Sequence, residues 1–480
     1  MRDPFTAQPL VSSTDSILQF NGEIYAEFDN KSTELSTDND IVDKITANDT
    51  ELVLESFQRT GVLNTLKNFR GEYAFVYFDR KSDKIFWARD CIGRRSLLMN
   101  MSSNQGLALC SVPPGDLGLR KCWTEVPAGI VFCLDLTDME IAQFKWGADL
   151  VYPYSEICQS TTGTINRSLV LTQFESKLHD AVYCRVAAHR QTLPDSQQYY
   201  SVLFSGGIDC TLLLYMLLRI VKGRSNVTID LLNVAFENRR IGGGFETPDR
   251  LLGQRSFQEI LECTEFQDME CVLNFVQIDV PFEQVQKHRA KVCQLMYPKS
   301  SVMDFSIAVA FYFAARATGI ISLSSTKAER GFQYTAPSRI LFSGLGADEL
   351  FAGYTRHATQ FRRDGYIGLG AELSLDFGRL DERNLGRDDR MCSNWSKEVR
   401  YPYLDEAFVE FALSLPLDCK MARVSDQKAD FEGKATLRWF ARSVGLMTVA
   451  QEAKRAIQFG ARSAKMEIGS GKVKGTDKFI

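Results

Sequence analysis

The chain has 480 residues, of which 45% are hydrophobic and 24% charged, and its formal net charge is -4. This composition is typical of a globular protein with about two to four domains. Because the balance is slightly acidic and no basic stripe is present, we expect no nucleic-acid partner. No uncharged apolar run is long enough to span a bilayer, so we expect no membrane segment.

The twelve cysteines and four histidines favour a reduced compartment over a disulfide or zinc framework. No two cysteines have Cys-x-x-Cys spacing, and many lie within apolar runs, which is typical of buried thiols. The histidines are scattered along the chain, so no zinc site is expected. Met1-Arg2-Asp3-Pro4 has no signal-peptide pattern. We therefore predict a cytoplasmic protein.

Residues 1–150 are predicted to form a mostly β region. Short apolar or alternating runs are bounded by turn residues such as Asn21-Gly22. Residues 51–66 have helical spacing with an interruption at Gly61, and the polar residues 29–49 are predicted to be a flexible surface excursion. The predicted strands cover residues 17–20, 73–78, 84–87, 108–112 and 129–134.

Residues 151–167 carry weak signals and are predicted to be a linker. Apolar positions between 171 and 185 then recur at helical spacing and predict an amphipathic helix. A polar connector leads to residues 201–210, where an apolar run ends in Ser205-Gly206-Gly207 and a lone Asp209 precedes a second apolar run. This order predicts a buried parallel strand, a tight loop and a buried helix.

The loop at Gly206 and Gly207 has the features of a phosphate cradle. Glycines lack Cβ, so their amides can approach an anion closely. The helix that follows directs its free N–H groups and the positive end of its dipole at the same point. An ordinary strand-to-helix loop that needs two glycines would give the same pattern. No Lys-Ser/Thr pair follows the glycines, so the loop is not a P-loop.

Strands predicted at 229–236, 274–280 and 340–342 alternate with helices, one of which covers 306–318 and is closed by Gly319. Such alternation predicts a parallel, doubly wound sheet with its ligand beyond the carboxyl ends of the strands. A second small-residue loop, after the strand at 340–342, delivers Asp348. Two loops that each deliver one carboxylate could bind Mg²⁺ and pyrophosphate between them. The plainer interpretation is a glycine loop followed by an acidic helix start.

Several motifs resemble those of known families. Residues 205–210, Ser-Gly-Gly-Ile-Asp-Cys, resemble the Ser-Gly-Gly-x-Asp-Ser signature of the ATP pyrophosphatase (PP-loop) family. Residues 21–25 (Asn-Gly-Glu-Ile-Tyr), 89–93 (Arg-Asp-Cys-Ile-Gly) and 398–405 (Glu-Val-Arg-Tyr-Pro-Tyr-Leu-Asp) are similar to motifs of glutamine-dependent asparagine synthetases. The alternating charges at 383–390 would ordinarily form a solvated helix face, but they lie within the region that resembles this family.

The resemblance implies a chain of mixed α/β and α+β class. It implies an incomplete Ntn-type αββα glutaminase-like domain at 1–150, followed by the linker. A doubly wound ATP-pyrophosphatase domain with a helical C-terminal part would occupy 168–465, with a flexible tail at 466–480. The implied cofactors are ATP and Mg²⁺, and the implied small-molecule substrates are aspartate with ammonia or glutamine.

The resemblance also assigns roles to individual residues. Asn21 and Gly22 match an oxyanion hole, and Asp90 matches the group that holds the glutamine ammonium. Asp209 and Asp348 match metal ligands. The positions that match ATP or pyrophosphate contacts are Ser205, Gly206, Gly207, Asp209, Cys210, Val234, Ser343, Gly344 and Asp348.

Besides Cys210, which stands where the loop signature has Ser, the chain departs from the family pattern at three positions. The family's glutaminase begins with a nucleophilic Cys, whereas this chain begins with Met1-Arg2, so we expect glutamine hydrolysis to be lost in the chain as given. Leu345 stands where the family has a Glu near the attacking nitrogen. Ala456 stands where the family has a Lys on the phosphates, with Lys454 and Arg455 as nearby partial substitutes.

Two functions therefore remain open. The first is an ATP-dependent ligase that amidates aspartate through an acyl-adenylate and releases AMP and pyrophosphate. The second is an ATP-binding pseudoenzyme or scaffold that has lost this chemistry and acts through a protein partner. A third, tRNA modification, is disfavoured by the net charge and by the motif at 398–405.

Overall fold

The chain divides into two compact units in the computed structural model. Unit 1 comprises Met1–Val151, Cys184–Pro194 and Leu380–Arg390, and unit 2 comprises Tyr152–Tyr183, Asp195–Arg379 and Met391–Ile480. The predicted excursion at 29–49 and the predicted linker at 151–167 lie almost wholly outside the described residues. The structure describes residues 7–27, 48–102, 106–115, 123–146, 166–190, 197–242, 244–326, 331–423, 431–466 and 473–479.

Unit 1 is built on two antiparallel sheets. The larger has the strand order β1-β2-β3-β4-β8-β9, and the smaller has the order β6-β5-β7. The strands are β1 (Leu10–Val11), β2 (Ile17–Glu27), β3 (Phe69–Asp79), β4 (Lys84–Arg89), β5 (Leu98–Ser102), β6 (Gly106–Cys110), β7 (Thr124–Glu125), β8 (Ile130–Asp135) and β9 (Ile141–Lys145). The five strands predicted for this region are confirmed. The turn predicted at Asn21-Gly22 is wrong, because both residues lie inside β2 and pair with Ala74 and Tyr73 of β3.

Two helices cover one face of the larger sheet, α1 (Asp49–Thr60) and α2 (Val62–Asn68). The Asn48 side chain starts α1 by accepting the Thr50 amide at 3.0 Å. Phe57 of α1 packs on the sheet, with ring centroids 5.0 Å from Phe75 and 5.2 Å from Tyr77. Gly61, at φ 80°, separates the two helices, as the interruption in the sequence pattern predicted.

A network of buried charges ties the remote segment Leu380–Arg390 into unit 1. Arg185 donates to Glu72 at 2.7 Å, and Arg95 lies 3.4 Å from both Glu72 and Asp389. All four side chains are at most 4% exposed. Buried charges are tolerated only when they are paired. The solvated face that this charge pattern would ordinarily form is therefore absent from 387–390, whose side chains are buried.

Unit 2 is built on a seven-stranded sheet with the order β14-β13-β12-β11-β10-β15-β16. The strands are β10 (Gln198–Leu203), β11 (Val227–Phe236), β12 (Val272–Val280), β13 (Thr318–Ser324), β14 (Gln333–Thr335), β15 (Ile340–Phe342) and β16 (Glu398–Arg400), with β17 (Met421–Arg423) and β18 (Phe431–Gly433) in a separate hairpin. The neighbouring strands β12, β11, β10, β15 and β16 are parallel, while β13 and β14 add an antiparallel edge. The predicted α/β fold class is confirmed.

Helices connect and cover these strands. The helices are α3 (Arg167–Arg190, up to Tyr183 in this unit), α4 (Ile208–Ile220), α5 (Pro248–Glu262), α6 (Phe282–Met296), α7 (Val302–Arg316), α8 (Ala347–Leu350), α9 (Thr355–Phe377), α10 (Gly386–Ser393, from Met391 in this unit), α11 (Glu406–Ser414), α12 (Ala435–Ser443), α13 (Met447–Gln451) and α14 (Ile457–Gly460). Within the described ranges, no helix combines the length and the apolar character needed to cross a membrane. Within the predicted tail at 466–480, the Phe479 ring stacks on the Phe305 ring with centroids 4.2 Å apart.

The apolar helix α7 is closed by a different residue from the one predicted. Its C-cap is Ala317 in the left-handed conformation, at φ 56°, whereas Gly319 lies inside β13. A Cβ atom at Gly319 would lie 2.1 Å from the Gln277 carbonyl oxygen of β12. The glycine is therefore explained by the close approach of two strands, and its prediction as a helix cap is wrong.

Ser301 begins α7 with a reciprocal cap, and its replacement by alanine should cost about 1 kcal/mol of unfolding free energy. The Ser301 hydroxyl accepts the Asp304 amide at 3.1 Å and contacts the Asp304 carboxylate at 2.6 Å. Urea unfolding of Ser301→Ala measures this loss. The control is Ser443→Ala, which removes a hydroxyl that donates within the last turn of α12. Equal losses in the two variants would contradict the cap.

Candidate functional site

The two predicted glycine loops of unit 2 meet at one edge of the sheet. Strands β10 and β15 are parallel neighbours, with Val202 opposite Phe342, so the loops after them leave the sheet at the same side. A Cβ atom at Gly344 would lie 2.9 Å from Cβ of Asp209. The second loop therefore packs directly against the start of the helix that follows the first.

Packing against α5 explains the first glycine of the first loop. Gly206 has φ 80°, and a Cβ atom there would lie 2.5 Å from the backbone of Gly253. The Gly206 carbonyl accepts the Ser256 hydroxyl at 2.7 Å. Gly207 is the N-cap of α4, and its amide donates to the Ser205 hydroxyl at 3.3 Å. The free amides at the start of α4 are thus held where an anion could reach them.

Cys210, predicted as a phosphate contact, is turned into the helix. Its thiol donates to the Gly207 carbonyl at 3.2 Å and lies 3.7 Å from the Ser205 hydroxyl. The residue is 5% exposed, and burial raises the pKa of the thiol to about 11. The thiol is therefore neutral at physiological pH and acts on the loop through Ser205 and Gly207.

The two predicted metal ligands are joined by a lysine that the sequence did not single out as a site residue. Lys434 Nζ lies 2.7 Å from Oδ1 and 2.6 Å from Oδ2 of Asp209, and 2.7 Å from Oδ1 of Asp348. A second lysine, Lys454, forms an ion pair with Oδ2 of Asp348. Two carboxylates and two ammonium groups therefore form one cluster at the carboxyl ends of β10 and β15.

Charge and burial act together on this cluster. Burial would raise the pKa of Asp348, but the ammonium groups of Lys434 and Lys454 bring it well below its usual range. Burial raises the pKa of Asp209 despite the lysine beside it. Burial alone would lower the pKa of Lys434, but the carboxylates of Asp209 and Asp348 raise it above its ordinary value. Lys434 is therefore a fixed positive charge at neutral pH.

Tyr354 holds the second lysine. The Lys454 ammonium lies 4.2 Å from the centroid of the Tyr354 ring, and the Arg356 guanidinium also lies 4.2 Å from it. The Tyr354 hydroxyl donates to Glu349 at 2.6 Å. Burial and the neighbouring Asp348 raise the pKa of Glu349 to about 7. The Tyr354 ring thus packs against Lys454 beside Asp348, and Glu349, to which the Tyr354 hydroxyl donates, is 2% exposed.

The remaining predicted nucleotide contacts lie on or after the strands that neighbour β10. Ser343 is 3% exposed and its amide donates to the Arg400 carbonyl at 3.0 Å. Val234 lies near the end of β11, the other neighbour of β10, and is 7% exposed. The Phe236 amide, two residues on, donates to the Ala461 carbonyl at 3.0 Å. The chain around 454–461 therefore runs from Asp348, at the end of β15, to the end of β11.

The donor set of the cluster fits Mg²⁺ with a phosphate. Within the described ranges no group of three or more His, Cys, Asp or Glu side chains is suited to a metal ion. Mg²⁺, however, usually binds through one or two carboxylates together with phosphate oxygens and water. Asp209 and Asp348 supply that number of carboxylates, and oxygen is the ligand type that Mg²⁺ prefers.

In unit 1, the residues predicted to act on glutamine are Asn21, Gly22 and Asp90, and their surroundings differ. Asn21 is exposed, and Gly22 approaches β3 so closely that a Cβ atom would lie 2.1 Å from the Glu72 carbonyl oxygen. Asp90 is 0% exposed and accepts five contacts within its own unit. These come from the amides of Tyr73, Ile92, Gly93 and Arg94 and from the Arg94 guanidinium, at 2.9–3.2 Å.

A carboxylate offers about four lone-pair positions, so Asp90 is saturated by its own chain. Asp49, which the sequence did not single out, contacts the same strand as Asn21 and Gly22. Its carboxylate accepts the Ile24 amide at 3.0 Å. An acidic residue at the start of a predicted helix was the only signal that could have found it.

Lys420 is a buried cation whose replacement should change how stability depends on pH. Its ammonium nitrogen donates to the carbonyls of Leu350, at 2.9 Å, and Ala412, at 2.6 Å. Burial lowers the pKa of Lys420 from 10.5 to about 7. The unfolded chain therefore binds more protons than the folded chain between these pH values, so this residue's contribution to unfolding free energy rises with pH across that window.

We expect the unfolding free energy of the wild type, measured relative to Lys420→Met, to rise between pH 7 and pH 10 by several kcal/mol at most. Urea unfolding at a series of pH values measures this difference. The exposed Lys222→Met is the matched control and should show no such rise. Parallel profiles for the wild type and Lys420→Met would contradict the expectation.

Comparison with known proteins identifies both parts of the chain. Residues 2–114 match the glutamine amidotransferase domain family, and residues 365–458 match the asparagine synthase family. An asparagine synthetase domain-containing protein of Saccharomyces cerevisiae is 33% identical over 494 aligned residues, which cover 99% of this chain and 84% of that protein.

More distant relatives carry related names. Asparagine synthetase domain-containing protein 1 of Homo sapiens is 28% identical, with 97% of this chain and 87% of that protein covered. An asparagine synthetase [glutamine-hydrolyzing] of Gallus gallus is 24% identical, with 79% of this chain and 62% of that protein covered. The similarity thus extends over both units of the chain.

Proposed function

Because this chain belongs to the asparagine synthetase domain-containing protein family, we propose that it binds ATP with Mg²⁺ and uses it to amidate aspartate. The acid would be activated as an acyl-adenylate, with release of pyrophosphate and then AMP. The observation that carries this proposal is the cluster of Asp209, Asp348, Lys434 and Lys454 beside the free amides of α4. Carboxylates for a metal and cations for phosphates stand together there.

Each group of the cluster has a separate role in the proposed reaction. Mg²⁺, when bound, would neutralise phosphate charge, and Asp209 and Asp348 are the residues that would hold it. The amides at the start of α4 would bind phosphate oxygens. As an oxygen of the acid bonds to the α-phosphorus and the bond to the β-phosphate breaks, Lys434 and Lys454 would stabilise the charge that collects on the departing pyrophosphate.

Lys454 supplies the cation that the residue at 456 cannot. Ala456 has no charge, but the Lys454 ammonium reaches Asp348 from two residues earlier in the chain. In the second half-reaction the nitrogen of ammonia bonds to the acyl carbon, AMP leaves and the nitrogen loses a proton. Leu345 cannot accept that proton, so the base would be another group or the phosphate of AMP itself.

Leu345 is also the observation that favours a second candidate function. A leucine in place of a carboxylate is compatible with a protein that binds ATP but has lost the synthetase reaction. Such a pseudoenzyme would act as a nucleotide-dependent scaffold for a protein partner. The leucine alone does not exclude the ligase. Losing one preorganised electrostatic contact lowers the rate by about 10²–10³, which is less than the whole acceleration of a typical enzyme.

The test is release of pyrophosphate and AMP by the purified chain with ATP, Mg²⁺ and a panel of acids headed by aspartate. Ammonium and glutamine are supplied in separate reactions to identify the nitrogen donor. Aspartate-dependent release that is abolished in Asp209→Ala supports the ligase. ATP binding without release in any reaction supports the pseudoenzyme, and absence of ATP binding overturns both.

A further inference from the structure

Every carboxylate oxygen of the cluster lies within ion-pair distance of an ammonium group. Both oxygens of Asp209 and Oδ1 of Asp348 lie within 2.7 Å of Lys434 Nζ, and Oδ2 of Asp348 is paired with Lys454. Lys434 donates hydrogen bonds to both oxygens of Asp209 and forms an ion pair with Oδ1 of Asp348. A metal ion that coordinated both carboxylates would need the space and the oxygens that Lys434 now uses.

Lys434 is held in this place by its backbone as well as by charge. The residue has φ 61° and ψ 34°, a left-handed conformation that is uncommon for a residue with a side chain. Its amide donates to the Phe351 carbonyl at 2.7 Å. The side chain is 3% exposed, and a Cβ atom at Gly353 would lie 2.5 Å from its Cε. The Lys434 side chain therefore packs closely against Gly353.

The charge of the cluster also opposes a lone metal ion. Two carboxylates and two ammonium groups sum to zero. A divalent cation alone would therefore bring two uncompensated positive charges into a partly buried site, which is unfavourable. A triphosphate brings negative charge with the metal, and its oxygens offer the displaced ammonium groups new partners.

We propose that Lys434 is a built-in counter-cation that occupies the metal position and yields it only when nucleotide and metal arrive together. Metal uptake is then strictly coupled to nucleotide, and the lysine moves from the carboxylates to the phosphates in the same step. The movement of Lys434 to the phosphates is the second half of this inference, and it rests on the proposed nucleotide function. Its first half, competition between Lys434 and a metal for the same oxygens, concerns the chain alone.

The experiment measures Mn²⁺ binding without nucleotide, by the loss of the free-ion signal in electron paramagnetic resonance. We expect the wild type to bind Mn²⁺ weakly and Lys434→Met to bind it more tightly by a factor on the order of ten or more. Lys434→Gln keeps N–H donors without the charge, and it gives the same test if the methionine variant does not fold. The exposed Lys222→Met is the control and should bind Mn²⁺ as the wild type does.

A parallel measurement of Mg-ATP binding to the wild type separates the two proposals. Unchanged Mn²⁺ affinity in the folded Lys434 variants, with Mg-ATP bound by the wild type, overturns the counter-cation and leaves the proposed function standing. Tighter Mn²⁺ binding in those variants, without Mg-ATP binding by the wild type, supports the competition and overturns the nucleotide function. Tight Mn²⁺ binding to the wild type alone, without nucleotide, also overturns the inference.

Discussion

Replacement of Gly353 by alanine is expected to abolish Mg-ATP binding while leaving the fold in place. Gly353 has no left-handed backbone requirement, so alanine is compatible with its conformation. A Cβ atom there would nevertheless lie 1.9 Å from Oδ1 of Asp348 and 2.5 Å from Cε of Lys434. These are side-chain atoms, so we expect the cluster to be pushed aside rather than the backbone. The carboxylate that would hold the metal is displaced directly.

Isothermal titration with Mg-ATP measures the loss, and circular dichroism with urea unfolding reports the fold. Gly244→Ala is the matched control, because its Cβ would have nothing within 4 Å and its φ is not positive. Binding by Gly353→Ala within about twofold of the wild type would mean that the Asp348 and Lys434 pair is not part of the nucleotide site.

Replacement of Lys454 by methionine is expected to lower the rate of ATP-dependent pyrophosphate release by about 10²–10³. Methionine keeps an unbranched apolar side chain against Tyr354 but removes the charge that pairs with Asp348. If Lys454 stabilises the departing pyrophosphate, its loss should fall mainly on kcat and much less on the affinity for ATP.

The pyrophosphate assay at saturating ATP measures this effect, and Arg455→Met is the neighbouring control. A second arm adds Ala456→Lys to Lys454→Met and asks whether a cation at the family's position restores activity. Recovery would show that the charge matters at the phosphates whichever residue supplies it. A Lys454→Met variant as active as the wild type would contradict the role given to Lys454.

The resemblance to the asparagine synthetase family, seen first in short motifs, is confirmed over nearly the whole chain. Sequence patterns also located the two glycine loops, because buried strands followed by Gly and Asp are local features. They could not show that Lys434 lies between Asp209 and Asp348. That contact depends on a left-handed residue far along the chain, and no local pattern marks it.

The family pattern places its lysine at position 456, where this chain has Ala456, so the sequence indicates Lys454 only as a partial substitute. The Lys454 side chain reaches Asp348 from two positions earlier because residues 454–461 run from Asp348 toward β11. In unit 1, Asn21-Gly22 has the composition of a turn, but the pair lies within a strand. Turn residues predict turns only where no neighbouring strand supplies partners for their backbone, and β3 supplies them here.

The inward-facing thiol of Cys210 makes the loop at Gly206 and Gly207 resistant to oxidants that react with thiolates. Oxidation and alkylation require the thiolate, and a thiol with a pKa of about 11 forms it only to about one part in 10⁴ at pH 7. The group is also nearly inaccessible. A serine hydroxyl at this position would also be inert to oxidants. The cysteine that stands here in place of the family's serine therefore does not create a redox switch. Inactivation of the native chain by an alkylating reagent would have to be traced to one of its other cysteines.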